Sequence, residues 1–130
     1  MPKEVIEIPV LSDGIRKIGA PLSPVVRANG FVFVSGLPPM DLKTGKIVRG
    51  DMEQQTDMSL AAVKYVLETA GSSLEKVVKA VVYVTNAAYF PTVNKVYARY
   101  FPNNPPARTF VTVGSWPFEF DIEIECIALA

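Results

Sequence analysis

The chain has 130 residues, of which 49% are apolar and 20% charged, and this composition excludes a disordered chain. Thirteen basic and thirteen acidic residues leave no net charge, so no nucleic-acid partner bound by charge is expected. No apolar run reaches the roughly 18 residues of a membrane span, and we expect residues 1–130 to form a single domain that does not contact membranes.

The first part of the chain predicts a strand, a loop and a hairpin. Residues 4–10 alternate weakly between apolar and polar side chains, as in a strand. The segment 19–24 (GAPLSP) is predicted to be a loop. The segment 25–35 (VVRANGFVFVS) predicts a β-hairpin, because Asn29-Gly30 between two β-rich runs favours a tight turn.

A loop and the clearest helix follow. Residues 36–49 are predicted to form an exposed loop with a turn at 43–46. Residues 51–70 predict a helix, because Asp51 suits the positive N-terminal end and Gly71 provides a stop. Its buried face is predicted from five residues at helical spacing: Thr56, Leu60, Val63, Leu67 and Ala70.

The next segments predict a short turn, a strand and a second helix. Residues 72–75 (SSLE) form a capping-box pattern for a short turn. Residues 77–85 are almost all apolar and β-branched, which is typical of a central strand. Pro91 suits the first turn of a second helix. The inner face of this helix is predicted to comprise Phe90, Val93, Tyr97 and either Tyr100 or Phe101.

Residues 109–113 and 122–129 predict two closing strands. This order of elements indicates an α+β fold, with a mixed β-sheet and two helices packed on one face. In the last strand an apolar set of residues faces the helices, whereas Glu123, Glu125 and Ile127 share the other face. Because no segment remains to cover this second face, it is either open to water or buried against other subunits.

The chain contains no histidine and a single cysteine, Cys126. Ser-His-Asp and Cys-His catalysis, His-ligated metals, Cys-rich zinc sites and internal disulfides are therefore excluded. Acid–base chemistry falls to Asp, Glu, Lys, Tyr or water. Cys126 lies in an apolar run and is expected to pack as a small hydrophobic residue. The lack of paired cysteines and of a targeting segment predicts a cytoplasmic protein.

Arg108 lies where the proline-rich segment FPNNPPA meets an alternating apolar run. Burying a guanidinium is unfavourable unless it is paired. Three interpretations are open: an ion pair with Glu123 or Glu125, a surface charge, or a clamp for an anionic ligand. The last is chemically apt, because the planar fork of guanidinium donors fits a carboxylate with two hydrogen bonds.

Five blocks resemble the Rid/YjgF family of reactive intermediate deaminases in order and spacing, from about Gly19 onward: GFVFVSGLPPMDLKTGKIVRG, VVKAVVYVTN, FPTVNKVYARYF, PPARTFVTV and DIEIECIALA. The resemblance implies a fold like that of chorismate mutase from bacilli. It also implies a homotrimer with clefts between neighbouring subunits, which would explain the uncovered sheet face. Members commonly hydrolyse enamines and imines such as 2-aminoacrylate to 2-keto acids and ammonia, without a cofactor or metal.

The resemblance also implies two catalytic residues. Arg108 matches the arginine of the PAR block, which holds the substrate carboxylate. Glu123 matches the acidic residue that places or activates the hydrolytic water. A carboxylate near an arginine is expected to be ionised and able to accept a proton. For Glu123 the alternatives are a solvated strand residue or an ion-pair partner of Arg108.

Four further residues match substrate-binding positions of the family. Ser35 matches a polar residue that could donate a hydrogen bond to the substrate, although it could equally end a strand. Gly36 would let the backbone approach a ligand. Asn94 matches the asparagine of the N-x-x-Y block, with hydrogen bonding between helix and loop as the alternative. The backbone N–H of Phe110 would help to hold the carboxylate.

Three positions depart from the family pattern. Leu22 replaces a tyrosine that faces the ligand in the family, Leu37 replaces a glutamine, and Phe110 replaces a frequent cysteine. Each change makes the region more apolar. We therefore expect a larger or more apolar imine than the usual small substrate.

The main prediction is an imine or enamine deaminase that needs no cofactor and acts on a small-molecule substrate, a 2-imino acid or related carboxylate. The alternative is a small-molecule-binding or regulatory trimer with little turnover, which the three apolar replacements favour. Endoribonuclease or chaperone activity has little support, because the chain has no net charge and no basic, aromatic surface.

Overall fold

A computed structural model describes residues 2–130, in which six strands form one mixed sheet of order β1-β2-β3-β6-β4-β5. Within it β4 and β5 run parallel, and the other neighbouring strands run antiparallel. The strands are β1 (Glu4–Val5), β2 (Val25–Ala28), β3 (Phe31–Leu37), β4 (Val77–Val84), β5 (Ala107–Thr112) and β6 (Ile122–Leu129). The helices are α1 (Leu11–Lys17), α2 (Met52–Thr69) and α3 (Phe90–Tyr100), with short 3-10 turns at Leu74–Lys76 and Ala87–Tyr89.

The predicted hairpin is confirmed as β2 and β3. Ala28 and Phe31 pair across a two-residue loop, in which Asn29 and Gly30 have φ angles of 52° and 82°. Positive φ at both central residues gives the turn whose twist matches the flanking strands, and Asn-Gly adopts it readily. The sequence therefore determines this register locally.

Helix α2 agrees with its predicted bounds to within one residue. The Asp51 carboxylate caps the helix by accepting a hydrogen bond from the backbone N–H of Gln54 at 2.8 Å. Gly71, with φ of 84°, follows the end of the helix. All five residues of the predicted inner face are buried.

Helix α3 begins with Pro91 near its N-terminus, as predicted, and lies against α2. Val93, Tyr97 and Phe101 are buried as expected. The prediction for Phe90 is wrong, because its side chain is 44% exposed. Val96, which was not predicted, is fully buried instead.

The predicted α+β architecture is confirmed, with α2 and α3 on one face of the sheet. On that face β6 contributes the buried residues Ile122, Ile124, Cys126 and Ala128. On the opposite face Glu123, Glu125 and Ile127 are half-buried. No helix in residues 2–130 is long and apolar enough to cross a membrane.

The N-terminal segment differs from its prediction. Strand β1 has two residues instead of seven, and the chain turns at Val10, which has a φ of 72°. Helix α1 follows and was missed. It packs closely on the 36–49 loop, since a Cβ at Gly14 would lie 2.4 Å from the carbonyl oxygen of Gly45.

Two smaller predictions also need correction. The 36–49 loop is not fully exposed, because Met40 is buried and pairs with Ile47 in an isolated bridge. The turn predicted at 72–75 exists, but no side chain caps it. Ser72 instead donates a hydrogen bond to the carbonyl oxygen of Leu129 at 2.6 Å and so ties the turn to β6.

The second face of the sheet has no helix over it among residues 2–130. It exposes four large apolar side chains: Phe31, Phe33, Val111 and Leu129. Phe31 and Phe33, whose ring centroids are 6.3 Å apart, and Leu129, which pairs with Phe31, form an apolar group of the kind that is typical of an interaction surface. Burial of this face against other subunits stays a prediction.

We expect Asp51→Ala to lower the free energy of unfolding by about 0.5–2 kcal/mol, because the N-terminal cap of α2 is lost. Urea unfolding at neutral pH measures the change. Glu68→Ala, in the exposed last turn of the same helix, is the matched control. The helix dipole does not stabilise an acidic residue at this end, so the loss of Glu68 should not lower the free energy of unfolding. Equal losses in the two variants would contradict the capping role of Asp51.

Candidate active site

The two predicted catalytic residues lie on opposite faces of the sheet. On β5, Arg108 and Phe110 pair with Ala80 and Val82 of β4, which are both buried under the helices. Because paired residues share a face, Arg108 and Phe110 also point to the helix side. Glu123 belongs to the opposite face of β6. A single protomer therefore does not bring Arg108 and Glu123 together.

The guanidinium of Arg108 lies among aromatic rings. Its central carbon is 4.8 Å from the ring centroid of Tyr97 and 5.7 Å from those of Phe90 and Phe110. Phe90 and Phe110 also meet edge to face, with centroids 4.9 Å apart. The exposed ring of Phe90 thus packs on Phe110 and beside Arg108. Cation–π contacts of this kind hold a guanidinium in place without using its N–H donors.

Arg108 takes part in none of the salt bridges found in residues 2–130. The ion pair with Glu123 or Glu125, which was one interpretation of the sequence, is therefore not formed within the protomer. Glu125 instead accepts a hydrogen bond from the hydroxyl of Tyr83. The donors of Arg108 are left for another partner.

Helix α3 contributes two unpaired polar atoms. Across residues 2–130, the side-chain oxygen of Asn94 and the hydroxyl of Tyr97 are buried and have no hydrogen-bond partner. Leaving such a group unpaired costs about 1–3 kcal/mol, so native proteins rarely do it. The helix-to-loop bond considered for Asn94 is not made by this oxygen. Burial raises the pKa of Tyr97 to about 12, against the opposing charge of Arg108, so its hydroxyl stays protonated.

Gly36 lies on the opposite face of the molecule from Arg108, beside Glu123. The pairing of β3 with β6 shifts between Val34 and Leu37, which is a β-bulge. A Cβ at Gly36 would lie 2.2 Å from the Glu123 carboxylate oxygen Oε1. Only glycine therefore allows the carboxylate to rest against the β3 backbone.

Ser35 uses its hydroxyl within the chain. Its Oγ donates to the carbonyl oxygen of Ser23 at 2.6 Å, and its backbone N–H donates to the carbonyl oxygen of Pro24 at 2.9 Å. The predicted donation to a substrate is therefore not available in this arrangement. The oxygen of the hydroxyl can still accept a hydrogen bond.

Burial raises the pKa of the Glu123 carboxyl, and the negative charge of Glu125 raises it further. The expectation that Arg108 keeps Glu123 ionised is thus not met within one protomer. A carboxylate with a raised pKa is a stronger base for activating water. Its neighbour Tyr83 also has a pKa raised to about 12, chiefly by the hydrogen bond to Glu125.

Glu123 forms part of the wall of an apolar cavity of about 160 Å³. It is the only charged side chain among the lining residues, which include Leu22, Gly36 and Leu37. Leu22 is half exposed, so it can contact both the cavity and solvent.

The segment 115–120 (SWPFEF) supplies another wall of this cavity and was assigned no role from the sequence. Trp116 and Phe120 stack with ring centroids 4.5 Å apart, and both line the cavity with Phe118. The concentration of three aromatic residues in six was the signal that could have indicated this wall. This composition does not predict which other segments of the chain pack against residues 115–120.

Residues 2–130 contain no group of three or more His, Cys, Asp or Glu side chains that could hold a metal ion. The candidate site has two parts. One is Arg108 with the surrounding aromatic rings and the unpaired atoms of α3, and the other is Glu123 with the apolar cavity. Which residues bind substrate stays a prediction at this point.

Comparison with known proteins identifies a family. Residues 15–130 match the family model described as Endoribonuclease L-PSP. The chain is 40% identical over 108 residues to Reactive Intermediate Deaminase A, chloroplastic, of Arabidopsis thaliana, a match covering 83% of this chain and 58% of that one. It is 38% identical over 128 residues to 3-aminoacrylate deaminase RutC of Acinetobacter baylyi, covering 98% of both.

A solved structure confirms the fold. The Rid-family protein YyfA of Yersinia pestis, described as a protein of unknown function, superposes with a TM-score of 0.86 at 34% identity. The match covers 99% of this chain and 100% of that one.

We expect Glu123→Gln to stabilise the protein at pH 7.5. A carboxyl whose pKa lies higher in the folded than in the unfolded chain begins to lower stability as the pH rises above its ordinary value of 4.5. This loss is complete above the folded-state pKa, so Tm should be higher in the variant at pH 7.5 and equal to wild type near pH 4. Thermal unfolding at both pH values measures it, with the exposed Glu68→Gln as control. A variant no more stable than wild type at pH 7.5 would contradict the effect of burial.

Proposed function

The chain belongs to the Rid/YjgF family, for which the description Endoribonuclease L-PSP is also used, and we propose that it is a hydrolytic deaminase. Its substrates would be reactive 2-imino or 2-enamino acids, and its products 2-keto acids and ammonia. Two relatives bearing deaminase names support this assignment. The single observation that carries it is Arg108, whose guanidinium lies among three aromatic rings and has no carboxylate partner within residues 2–130.

The active site is proposed to lie between protomers of a homotrimer. Arg108 and Glu123 point to opposite faces of one sheet, so a complete site needs a second copy of the chain. Strand β5 is at the edge of the sheet, where a neighbour can approach Arg108. The uncovered face with its exposed apolar side chains offers the surface for assembly.

In this proposal the substrate is held by its carboxylate. Arg108 forms two charge-assisted hydrogen bonds to the carboxylate, and the backbone N–H of Phe110 adds a third. Because the aromatic rings around Arg108 already fix its position, little ordering is needed on binding.

The hydrolysis itself needs only water and Glu123. The carboxylate of Glu123 takes a proton from water as the oxygen attacks the C=N carbon, and the electron pair of the C=N bond moves to nitrogen. Glu123 passes this proton to the nitrogen, which gives the neutral carbinolamine, and then takes the proton of the carbinolamine hydroxyl and delivers it to the amine. The C–N bond breaks, ammonia leaves and the C=O bond of the 2-keto acid forms. An enamine first takes a proton at its β-carbon and loses one from its nitrogen to become the imine.

A second candidate is a small-molecule-binding or regulatory trimer with little turnover. The observation that favours it is the apolar wall around Glu123, in which Leu22 and Leu37 provide no hydrogen-bond donor from their side chains. In that case the same carboxylate-binding Arg108 would hold a ligand that is not hydrolysed. Turnover separates the two candidates.

We expect Arg108→Ala and Glu123→Gln each to lower kcat/KM by about 100-fold or more, because each removes a charged group that contacts the substrate or water. Imines are generated in situ by an amino-acid oxidase, and the fraction that escapes hydrolysis is trapped with semicarbazide. Arg49→Ala, which removes an exposed arginine, is the control. If the wild-type protein does not accelerate the hydrolysis of any of several imines, the deaminase proposal is wrong and the binding function is favoured.

Mixing the two inactive variants tests the shared site. In a randomly assembled equimolar trimer, about a quarter of the interfaces combine an intact Arg108 with an intact Glu123 of the neighbour, so about a quarter of the activity should return. A site within one protomer would recover nothing. Light scattering at micromolar concentration gives the assembly state, and a monomer would exclude the shared site.

The pH dependence of kcat/KM should report Glu123 in its ionised form. Because burial raises the pKa of this carboxyl, activity should fall as the pH drops through a value above 4.5. At pH values above this pKa, kcat/KM should no longer depend on the ionisation of Glu123. In Glu123→Gln this acid limb should disappear, and its persistence would show that another group acts as the base.

A further inference from the structure

The cavity next to Glu123 offers more room than a one-carbon side chain requires. We propose that it is a side-chain subsite that selects 2-imino acids with branched aliphatic or aromatic side chains, of the leucine or phenylalanine kind. This inference rests on the proposed function, and it adds the substrate class. The cavity has a volume of about 160 Å³. This is close to the volume of an engineered apolar cavity, about 150 Å³, that binds benzene.

The position of the cavity relative to the base supports this role. Glu123 is in the cavity wall, so a substrate whose C=N carbon lies next to this carboxylate has its side chain at the same opening. Its carboxylate then points out of the cavity, towards Arg108 of the neighbouring protomer. Because a Cβ at Gly36 would clash with the Glu123 carboxylate, the glycine lets this side chain lie against β3 in the cavity wall.

The chemistry of the walls determines which side chains fit. Trp116, Phe120 and Leu37 give the interior an apolar surface, and Glu123 is its only charged group. Each methylene group buried there improves binding by roughly fourfold. An acidic side chain would meet the negative charge of Glu123 and lose its water, so it is rejected.

The rim of the cavity is apolar and exposed. Ile18, Leu22 and Phe118 line it with 42%, 50% and 42% of their surface accessible. Large apolar side chains gathered around an opening are typical of a ligand site. A bound aliphatic or aromatic side chain would cover them.

Trp116 is the only tryptophan of the chain, so its fluorescence reports directly on the cavity wall. Wild-type protein is titrated with 4-methyl-2-oxopentanoate, the product derived from leucine, and with pyruvate, the product derived from alanine. We expect a saturable change in Trp116 emission and a Kd tens of times lower for the branched acid, which has three more carbons to bury. Equal Kd values for the two acids would overturn the subsite.

Filling the cavity provides the kinetic test. Ala20 is in its wall, and Ala20→Phe should lower the ratio of kcat/KM for the leucine-derived imine over the alanine-derived imine at least tenfold. Ala61→Phe adds the same volume at a half-buried position of α2 outside the cavity and should keep the wild-type ratio. An unchanged ratio in Ala20→Phe would contradict the subsite.

The two proposals fail in different ways. If the protein does not accelerate the hydrolysis of any imine but still binds 4-methyl-2-oxopentanoate more tightly than pyruvate, deamination is wrong and the subsite stands as part of a binding site. If imines are hydrolysed with the alanine-derived one preferred, deamination stands and the subsite is wrong. The Trp116 titration uses the wild-type protein, so it decides even if Ala20→Phe does not fold.

Discussion

The two-residue alternation of side chains along β-strands is the constraint on which this structure depends. Strand β6 places Ile122 and Ile124 in the core and Glu123 on the uncovered face, while the register of β5 on β4 turns Arg108 towards the helices. A shift of one residue in β6 would bury Glu123 and Glu125, and the same shift in β5 would turn Arg108 away from the helices. The core and the separation of the two charged groups therefore follow from the same register, and a site that uses both must recruit a second copy.

The features that oppose stability are concentrated around the proposed site. Within residues 2–130 the half-buried Glu123 makes no salt bridge, and the unpaired atoms of Asn94 and Tyr97 lie on α3, where the Tyr97 ring contacts Arg108. Helix α2 and the β2–β3 hairpin, by contrast, follow the ordinary rules of capping and turn chemistry. Local exceptions of this kind are expected where a protein binds or transforms a ligand.

How far the sequence could predict the fold depended on whether the signal was local. Helix α2 and the β2–β3 hairpin were predictable because Asp51, Gly71 and Asn29-Gly30 act within a few residues of themselves. Helix α1 was missed because it has only seven residues and its Gly14 disfavours a helix. That glycine is needed for contact with Gly45, which no local pattern reveals.

The site was predictable in its residues and less so in its environment. The resemblance supplied Arg108 and Glu123 by their motifs, and their positions at strand ends followed from the strand pattern. The raised pKa of Glu123 and the aromatic rings around Arg108 depend on which elements pack together, so they required the structure. The position of β6 between β3 and β4 has one more consequence, for synthesis on the ribosome. The strands made earlier cannot join into one sheet until residue 129 has emerged, so folding must largely await the end of translation of this domain.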